Sequence, residues 1–310
     1  MNDFYDKLDA LYSAGDQSAV ETLLLDTINE TPDGSAGQAG LYNELAGFYR
    51  GVSRFSESES SFAKALDIFK ALGMEATPEY ATVLLNLAGL YRMKGEPARA
   101  VGLFKDVMEK LEGAGERGSY AYVSVLNNLA LAYLDNGDHD LGFKHANLAL
   151  ERLRAGSGNE HEIAASLNNL AAIKLKQNDD DSAEGYISEA LAIYEAMPEP
   201  DVHHAAALST KAEISSRRSD FSGALEGFRR ALELTKHFFG ENYEYAVCKL
   251  NIADICEIMD DIDTAVTEQS EAVRILESIL GPDHQMVKNT KNTLDRFERR
   301  LKAARRRSNQ

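Results

Sequence analysis

Alanine recurs along this chain in a fixed column. Ala46, Ala88, Ala130, Ala171, Ala212 and Ala253 stand 42, 42, 41, 41 and 41 residues apart. Each lies in a similar apolar string: NELAGFY around Ala46, LNLAGLY around Ala88, NNLALAY around Ala130 and NNLAAIK around Ala171. A second small-residue column follows twelve positions later, at Ser58, Ala100, Gly142, Ala183, Ala224 and Ala265. A third lies seven further on, at Ala65, Val107, Ala149, Ala190, Ala231 and Ala272. Seven residues is two helical turns, so the second and third columns share one helix face. Small side chains there let neighbouring helices approach. Larger ones fill the gaps: Tyr49, Tyr91 and Tyr133 on the first helix, Phe62, Phe104 and Phe228 on the second. Turn-forming residues separate the two, as in Lys94-Gly95-Glu96-Pro97, Asn136-Gly137-Asp138 and Gln177-Asn178-Asp179-Asp180. Pro97 suits the first turn of a helix, where its missing N–H is no loss. The pattern predicts helix A, a tight turn, helix B and a looser turn, repeated. A fixed period of this length describes one small unit stacked many times, with no single globular core and a long surface as the working part.

The alanine columns, the Gly-Asp turn and the aromatic columns resemble the tetratricopeptide repeat family. The commonest form of that repeat has about 34 residues. A period of 41–42, with LGPDH at 280–284 and AASLNNLA at 164–171, is most similar to the kinesin light chain type. The resemblance runs from about residue 38 to 290. It implies an all-α fold: a right-handed superhelix, or α-solenoid, of about seven helix-turn-helix repeats closed by a C-terminal capping helix. Three segments are expected. Residues 1–37 hold a degenerate first repeat and a loop, with Leu8 in the alanine column. Residues 38–283 hold six repeats. Residues 284–310 hold the capping helix, with Leu294 in the column, and a basic tail. End repeats depart from the pattern because they cover the last apolar face with polar residues.

Asparagine forms a further column. The residue two before each column alanine reads Glu44, Asn86, Asn128, Asn169, Thr210 and Asn251, and the one before that reads Asn43, Leu85, Asn127, Asn168, Ser209 and Leu250. Asparagine is a poor interior helix residue because its amide competes for backbone hydrogen bonds, so its recurrence at one helical phase needs a reason. The resemblance implies one: A helices line the concave face, and asparagines in this phase hold the main chain of a bound peptide. An amide can pair with a peptide N–H and C=O together. Each bond contributes only about 1 kcal/mol net. A ladder of several, with pockets between, reaches micromolar binding, about −8 kcal/mol. The competing reading is a ladder that bonds the neighbouring A helix and holds the stack together. The expected groove residues are Asn86, Asn128, Asn169 and Asn251, with Asn127 and Asn168 beside them. Arg50, Arg92, Lys176 and Arg217 add cations further along the face, which favours a partner peptide with an acidic residue or two and some apolar anchors. The flanking column has no lysine, so the resemblance does not extend to the repeat domains that clamp a C-terminal carboxylate.

Charge and composition narrow the partners. The net charge is −17, yet residues 296–310 carry +6, which leaves −23 on the rest. An acidic body repels nucleic acid and anionic membrane, so the basic tail 296–307 is the only candidate for either. The plainer reading is that those cations complement the dipole of their own helix. There is no apolar run of about 18 residues, and the acidic start MNDFYDKLDA has no apolar signal core, so neither a membrane partner nor export is expected. Cys248 and Cys256 lie eight apart on one helix, about 12 Å of rise, too far for a disulfide. That usage suits a reducing cytoplasm. No HExxH, P-loop or GxGxxG string occurs, so no cofactor, metal or catalytic role is expected. The leading expectation is a non-catalytic scaffold for a protein or peptide ligand. The alternatives are a peptide-sensing regulator whose superhelix changes shape on binding, and a homo-oligomer built through the terminal helices.

Overall fold

The computed structural model describes residues 2–198 and 203–308. All of its regular structure is helical, in two compact units, residues 1–197 and 198–310. Unit 1 holds α1 (Asn2–Ser13), α2 (Gln17–Glu30), α3 (Ala36–Gly51), α4 (Phe55–Ala71), α5 (Pro78–Met93), α6 (Pro97–Gly113), α7 (Tyr120–Asp135), α8 (His139–Arg154), α9 (Glu160–Lys176) and α10 (Asp180–Ala196). Unit 2 holds α11 (His204–Arg217), α12 (Phe221–Phe239), α13 (Tyr243–Ile258), α14 (Ile262–Leu280) and α15 (Gln285–Ser308). Odd-numbered helices up to α13 are A helices and even-numbered ones are B helices.

Every A-to-B turn is closed the same way. Gly15, Ser53, Gly95, Gly137, Asn178, Ser219 and Asp260 adopt left-handed backbone, with φ from 59° to 85°. The next residue's N–H reaches back to the carbonyl five positions earlier, as in Glu96 to Tyr91 at 2.9 Å and Asp261 to Cys256 at 2.8 Å. This is the Schellman closure, which satisfies carbonyls left open at a helix end. The residue after the left-handed position then caps helix B: Asp16, Asp179, Asp220 and Asp261 each accept a backbone N–H three residues on, at 3.0–3.2 Å. The same closure therefore ends helix A seven times over, and in four of the seven turns the next residue also caps helix B.

Packing follows the small-residue columns. All six column alanines are buried, and so are the second and third columns. The first and second columns meet backbone to backbone. Ser58 Oγ donates to the Ala46 carbonyl at 2.8 Å, and a Cβ built on Gly142 would sit 2.9 Å from the Ala130 carbonyl. Tyr49, Tyr91, Tyr133, Phe62, Phe104 and Phe228 are all buried, as the pattern predicts. Leu8 joins Val20, Leu24, Ile28, Leu41, Leu45 and Phe48 in one cluster that ties α1 and α2 to α3. At the other end α15 packs on α14 through buried Val287 and Phe297, and Gln269 Nε2 donates to the Thr290 carbonyl at 3.0 Å. Cys248 and Cys256 are buried and unbridged. Burial raises both thiols, Cys248 to about 12, so they behave as small apolar residues.

Candidate peptide-binding face

In unit 1 the A helices α3, α5, α7 and α9 stand next to one another in order. This brings Glu44, Asn86, Asn128 and Asn169 into one phase of adjacent helices, with Asn43, Asn127 and Asn168 beside them. The structure gives several of these amides partners inside the chain. Asn86 Nδ2 donates to Asn43 Oδ1 at 3.0 Å, from α5 to α3. Asn127 Nδ2 donates to Ser166 Oγ at 2.8 Å, from α7 to α9. Asn128 Nδ2 donates to the Ser124 carbonyl of its own helix at 2.9 Å. Asn169 is buried, and the Asn168 Oδ1 atom is buried without a hydrogen bond.

The cations are held as well. Arg50 Nη1 donates to the Asn86 carbonyl at 3.1 Å, so α3 grips α5 by main chain as well as by the Asn43 amide. The same guanidinium lies against Gly89, where a Cβ would come within 2.8 Å of Nη1. Arg92 pairs with Asp135 of α7 at 3.1 Å. Lys176 is exposed at the last turn of α9. Of the remaining expected residues, Arg217 lies on α11 and pairs with Glu213 one turn back at 3.4 Å. Asn251 is half-buried on α13. Both belong to unit 2, so the structure collects eight of the ten expected residues in unit 1. Sequence reasoning missed the partners, Asn43 and Ser166. Their signal was spacing: each lies on the A helix neighbouring the amide it meets.

Glu44 differs from the asparagines that share its phase. Burial pushes its carboxyl above the usual range, opposed by a hydrogen bond from the Asn43 amide. Burial and then the Glu44 charge raise Tyr12 to about 12, and the same two causes raise Tyr5.

The period, the turns and the columns are those of one known repeat. The family model for the tetratricopeptide repeat matches residues 37–112 and 122–196, both within unit 1. These two segments belong to the tetratricopeptide repeat family. Solved structures of similar fold include a chain of the APC/C hetero-tetramer Cut9-Hcn1, 15% identical with a TM-score of 0.63. That match covers 94% of this repeat protein and 48% of the other chain, so this chain spans about half its length. NprR in complex with its cognate peptide NprX is 16% identical, with a TM-score of 0.62 and coverage of 94% and 82%. A Rap protein complexed with competence and sporulation factor is 14% identical, with a TM-score of 0.57 and coverage of 95% and 98%. No curated protein matches the chain by sequence.

The basic end of this repeat protein is tied down. Arg296 forks onto Glu257 at 2.8 and 2.9 Å, Arg300 reaches Asp260 at 2.7 Å, and Arg305 reaches Asp263 at 2.6 Å. Three cations of α15 thus meet acids at the turn between α13 and α14, where the sequence suggested pairing with the helix's own dipole. The side chain of Arg307 lies outside the described residues. No helix among the described residues is long and apolar enough to cross a membrane.

Proposed function

We propose that this tetratricopeptide repeat protein is a non-catalytic scaffold that holds a peptide segment of a partner protein on the A-helix face of unit 1. The observation that carries the reading is the pre-set amide ladder. Asn86 and Asn127 are fixed in one rotamer by bonds to the neighbouring A helix, so ordering them again on binding costs little. Bonding to a neighbouring helix and bonding to a ligand are compatible for one amide, because its oxygen and its two N–H groups make separate bonds. The similarity to NprR and Rap supports the reading at the level of fold, since both were solved with a peptide or factor bound.

The test uses the full chain on a surface and a bead library of acetylated, amidated octapeptides. Wild type should retain a related set of peptides. The triple variant Asn86→Ala, Asn128→Ala, Asn169→Ala should lose them, with a melting temperature within about 5 °C of wild type. Equal retention by both proteins would remove the ladder from the binding site. A much larger fall in melting temperature would make the ladder part of the stack alone. Addition of a retained peptide also separates scaffold from sensor: an unchanged radius of gyration fits a scaffold, and a changed one turns the reading toward a shape-switching regulator.

A further inference from the structure

One polar group of three recurs in unit 1, and at its third place one member is replaced. The tyrosine three residues after the column alanine donates its hydroxyl to a glutamate of the preceding B helix, and a cation completes the group. Tyr49 donates to Glu21 Oε1 at 2.8 Å; Arg54 Nη1 reaches the same oxygen at 2.7 Å, and its guanidinium lies 4.3 Å from the Tyr49 ring centre. Tyr91 donates to Glu59 Oε1 at 3.0 Å; Lys94 Nζ reaches Glu59 Oε2 at 2.6 Å and lies 5.7 Å from the Tyr91 ring centre. The Lys94 hydrogen bond, with the Tyr91 one behind it, holds the Glu59 carboxyl below the usual range against the opposing effect of burial. At Tyr133 the phenol and a cation are again together, with Lys105 Nζ 5.4 Å from the ring centre. The place of the glutamate, one residue after the second small-residue column, is taken by Val101 of α6. Tyr133 is 5% exposed, yet its hydroxyl makes no hydrogen bond among the described residues, and exposed Lys105 makes no ion pair there. His145 of α8 completes the surroundings, its ring 5.2 Å from that of Tyr133 and its Nδ1 2.7 Å from the Leu141 carbonyl.

We infer that Tyr133, Lys105 and His145 form a docking site for an acidic side chain of a partner protein, an aspartate or glutamate that supplies the carboxylate this repeat lacks. The Tyr91 group shows the geometry, since there a phenol and an ammonium share one carboxylate through its two oxygens. Lys105 stands at nearly the same distance from its ring as Lys94 does. A phenol this buried has lost most of its water, so a carboxylate that accepts from it and from the ammonium adds charge-assisted hydrogen bonds at small further cost. Leu141, in the repeat position of Arg99 and one turn before His145 on α8, is 42% exposed and offers apolar surface to the residue beside the acid. On α7 Tyr133 comes five residues after Asn128, about 140° around the helix, so the site lies away from the amide row and is independent of it.

The capped octapeptides, whose only carboxylates are Asp and Glu side chains, are selected on the full chain and on the triple asparagine variant. Both proteins should retain a common set enriched in Asp or Glu at one position. Changing that residue to Asn or Gln should weaken binding about tenfold. Against Lys105→Met the acid and amide peptides should bind within about twofold of each other, and against Tyr133→Phe the gap should narrow to about threefold. Val101→Glu restores the internal carboxylate. It should melt within about 5 °C of wild type and bind the acidic peptides at least about tenfold more weakly. No acid preference, a preference that survives in Lys105→Met, or full retention by folded Val101→Glu would overturn the site. So would loss of the acidic peptides in the triple asparagine variant, which would place them on the amide row. Peptides with a free C-terminus separate the two sources of a carboxylate: a gain on removing the amide cap that vanishes in Lys105→Met would assign the site to a chain end and overturn the side-chain form. Failure of the carboxylate site leaves the ladder reading standing, because that reading is tested by the peptides the asparagine variant loses.

Discussion

Four residues before the column alanine, α7 and α9 of unit 1 bury Leu126 and Leu167, while α13 of unit 2 buries Lys249 at the same place in the repeat. The backbone setting is shared, and the chemistry is opposite. Leu126 and Leu167 gain stability by leaving water, about 1.5–3 kcal/mol for a fully buried leucine. Lys249 must be compensated, and it is. Its ammonium lies 2.6 Å from both Glu268 and Glu271 of α14 and 5.3 Å from the centre of the Tyr245 ring. Burial alone would lower its pKa, but the hydrogen bonds to the two carboxylates prevail and hold it above the usual lysine value. A buried ion pair of this kind roughly breaks even against an apolar replacement, because desolvation offsets the Coulomb gain. The comparison teaches that the period specifies where helices meet and leaves open how each meeting is stabilised. Both segments matched by the family model lie in unit 1, although the alanine column continues through Ala212 and Ala253.

The contrast can be broken most sharply in unit 1. Leu126→Ala should destabilise the chain by about 3 kcal/mol in urea unfolding, because the cavity is fully enclosed. In unit 2 the double variant Glu268→Gln, Glu271→Gln should destabilise by about 2 kcal/mol, since it leaves the Lys249 charge buried without a counter-ion. Lys249→Met should come within about 1 kcal/mol of wild type, as both glutamates can rehydrate; their side chains are 22% and 50% exposed. An equal loss for Lys249→Met and Leu126→Ala would show that the two contacts do the same work.

The pH dependence of that pair has a definite sign. A raised folded-state pKa means the lysine contributes fully below its unfolded value of about 10.4. The contribution is then lost as pH rises through the higher folded value. The melting-temperature difference between wild type and Lys249→Met should thus be constant from neutral pH to about 10 and should shift against wild type above that.

Smaller effects test the shared frame. Gly142→Ala should cost about 1–2 kcal/mol, because the new methyl meets the Ala130 carbonyl and the two helices must move apart. The same column holds alanine in four other repeats, so the cost measures how much closer α7 and α8 approach. At the exposed turn residue Ser219, Ser219→Gly should stabilise by about 0.5 kcal/mol, since glycine takes the left-handed backbone without Cβ strain. Thermal melts of the two variants should move in opposite directions.

The helices were legible because their signals are local. Ala46 through Ala253, the turn residues around Gly95 and Gly137, and the tyrosine and phenylalanine columns each repeat a short-range rule of helix geometry and capping. The asparagine phase was legible for the same reason. What those asparagines touch was not. Asn127 meets Ser166, 39 residues away, and Asn86 meets Asn43, 43 residues away, by register between neighbouring helices. The pairing of Arg296, Arg300 and Arg305 with Glu257, Asp260 and Asp263 depends on the same kind of register. Those cations looked open in sequence because charge counting does not know which acids will lie opposite.

The order of helices, the turn that joins each pair and the family were determined by the sequence alone, since periodicity and capping act over a few residues and accumulate over many repeats. The tertiary structure decided which polar groups remain for a partner. Stacking places Arg50, Arg92 and much of the amide ladder against neighbouring helices. Those outcomes depend on distances between residues about 40 positions apart, and only the folded stack sets them.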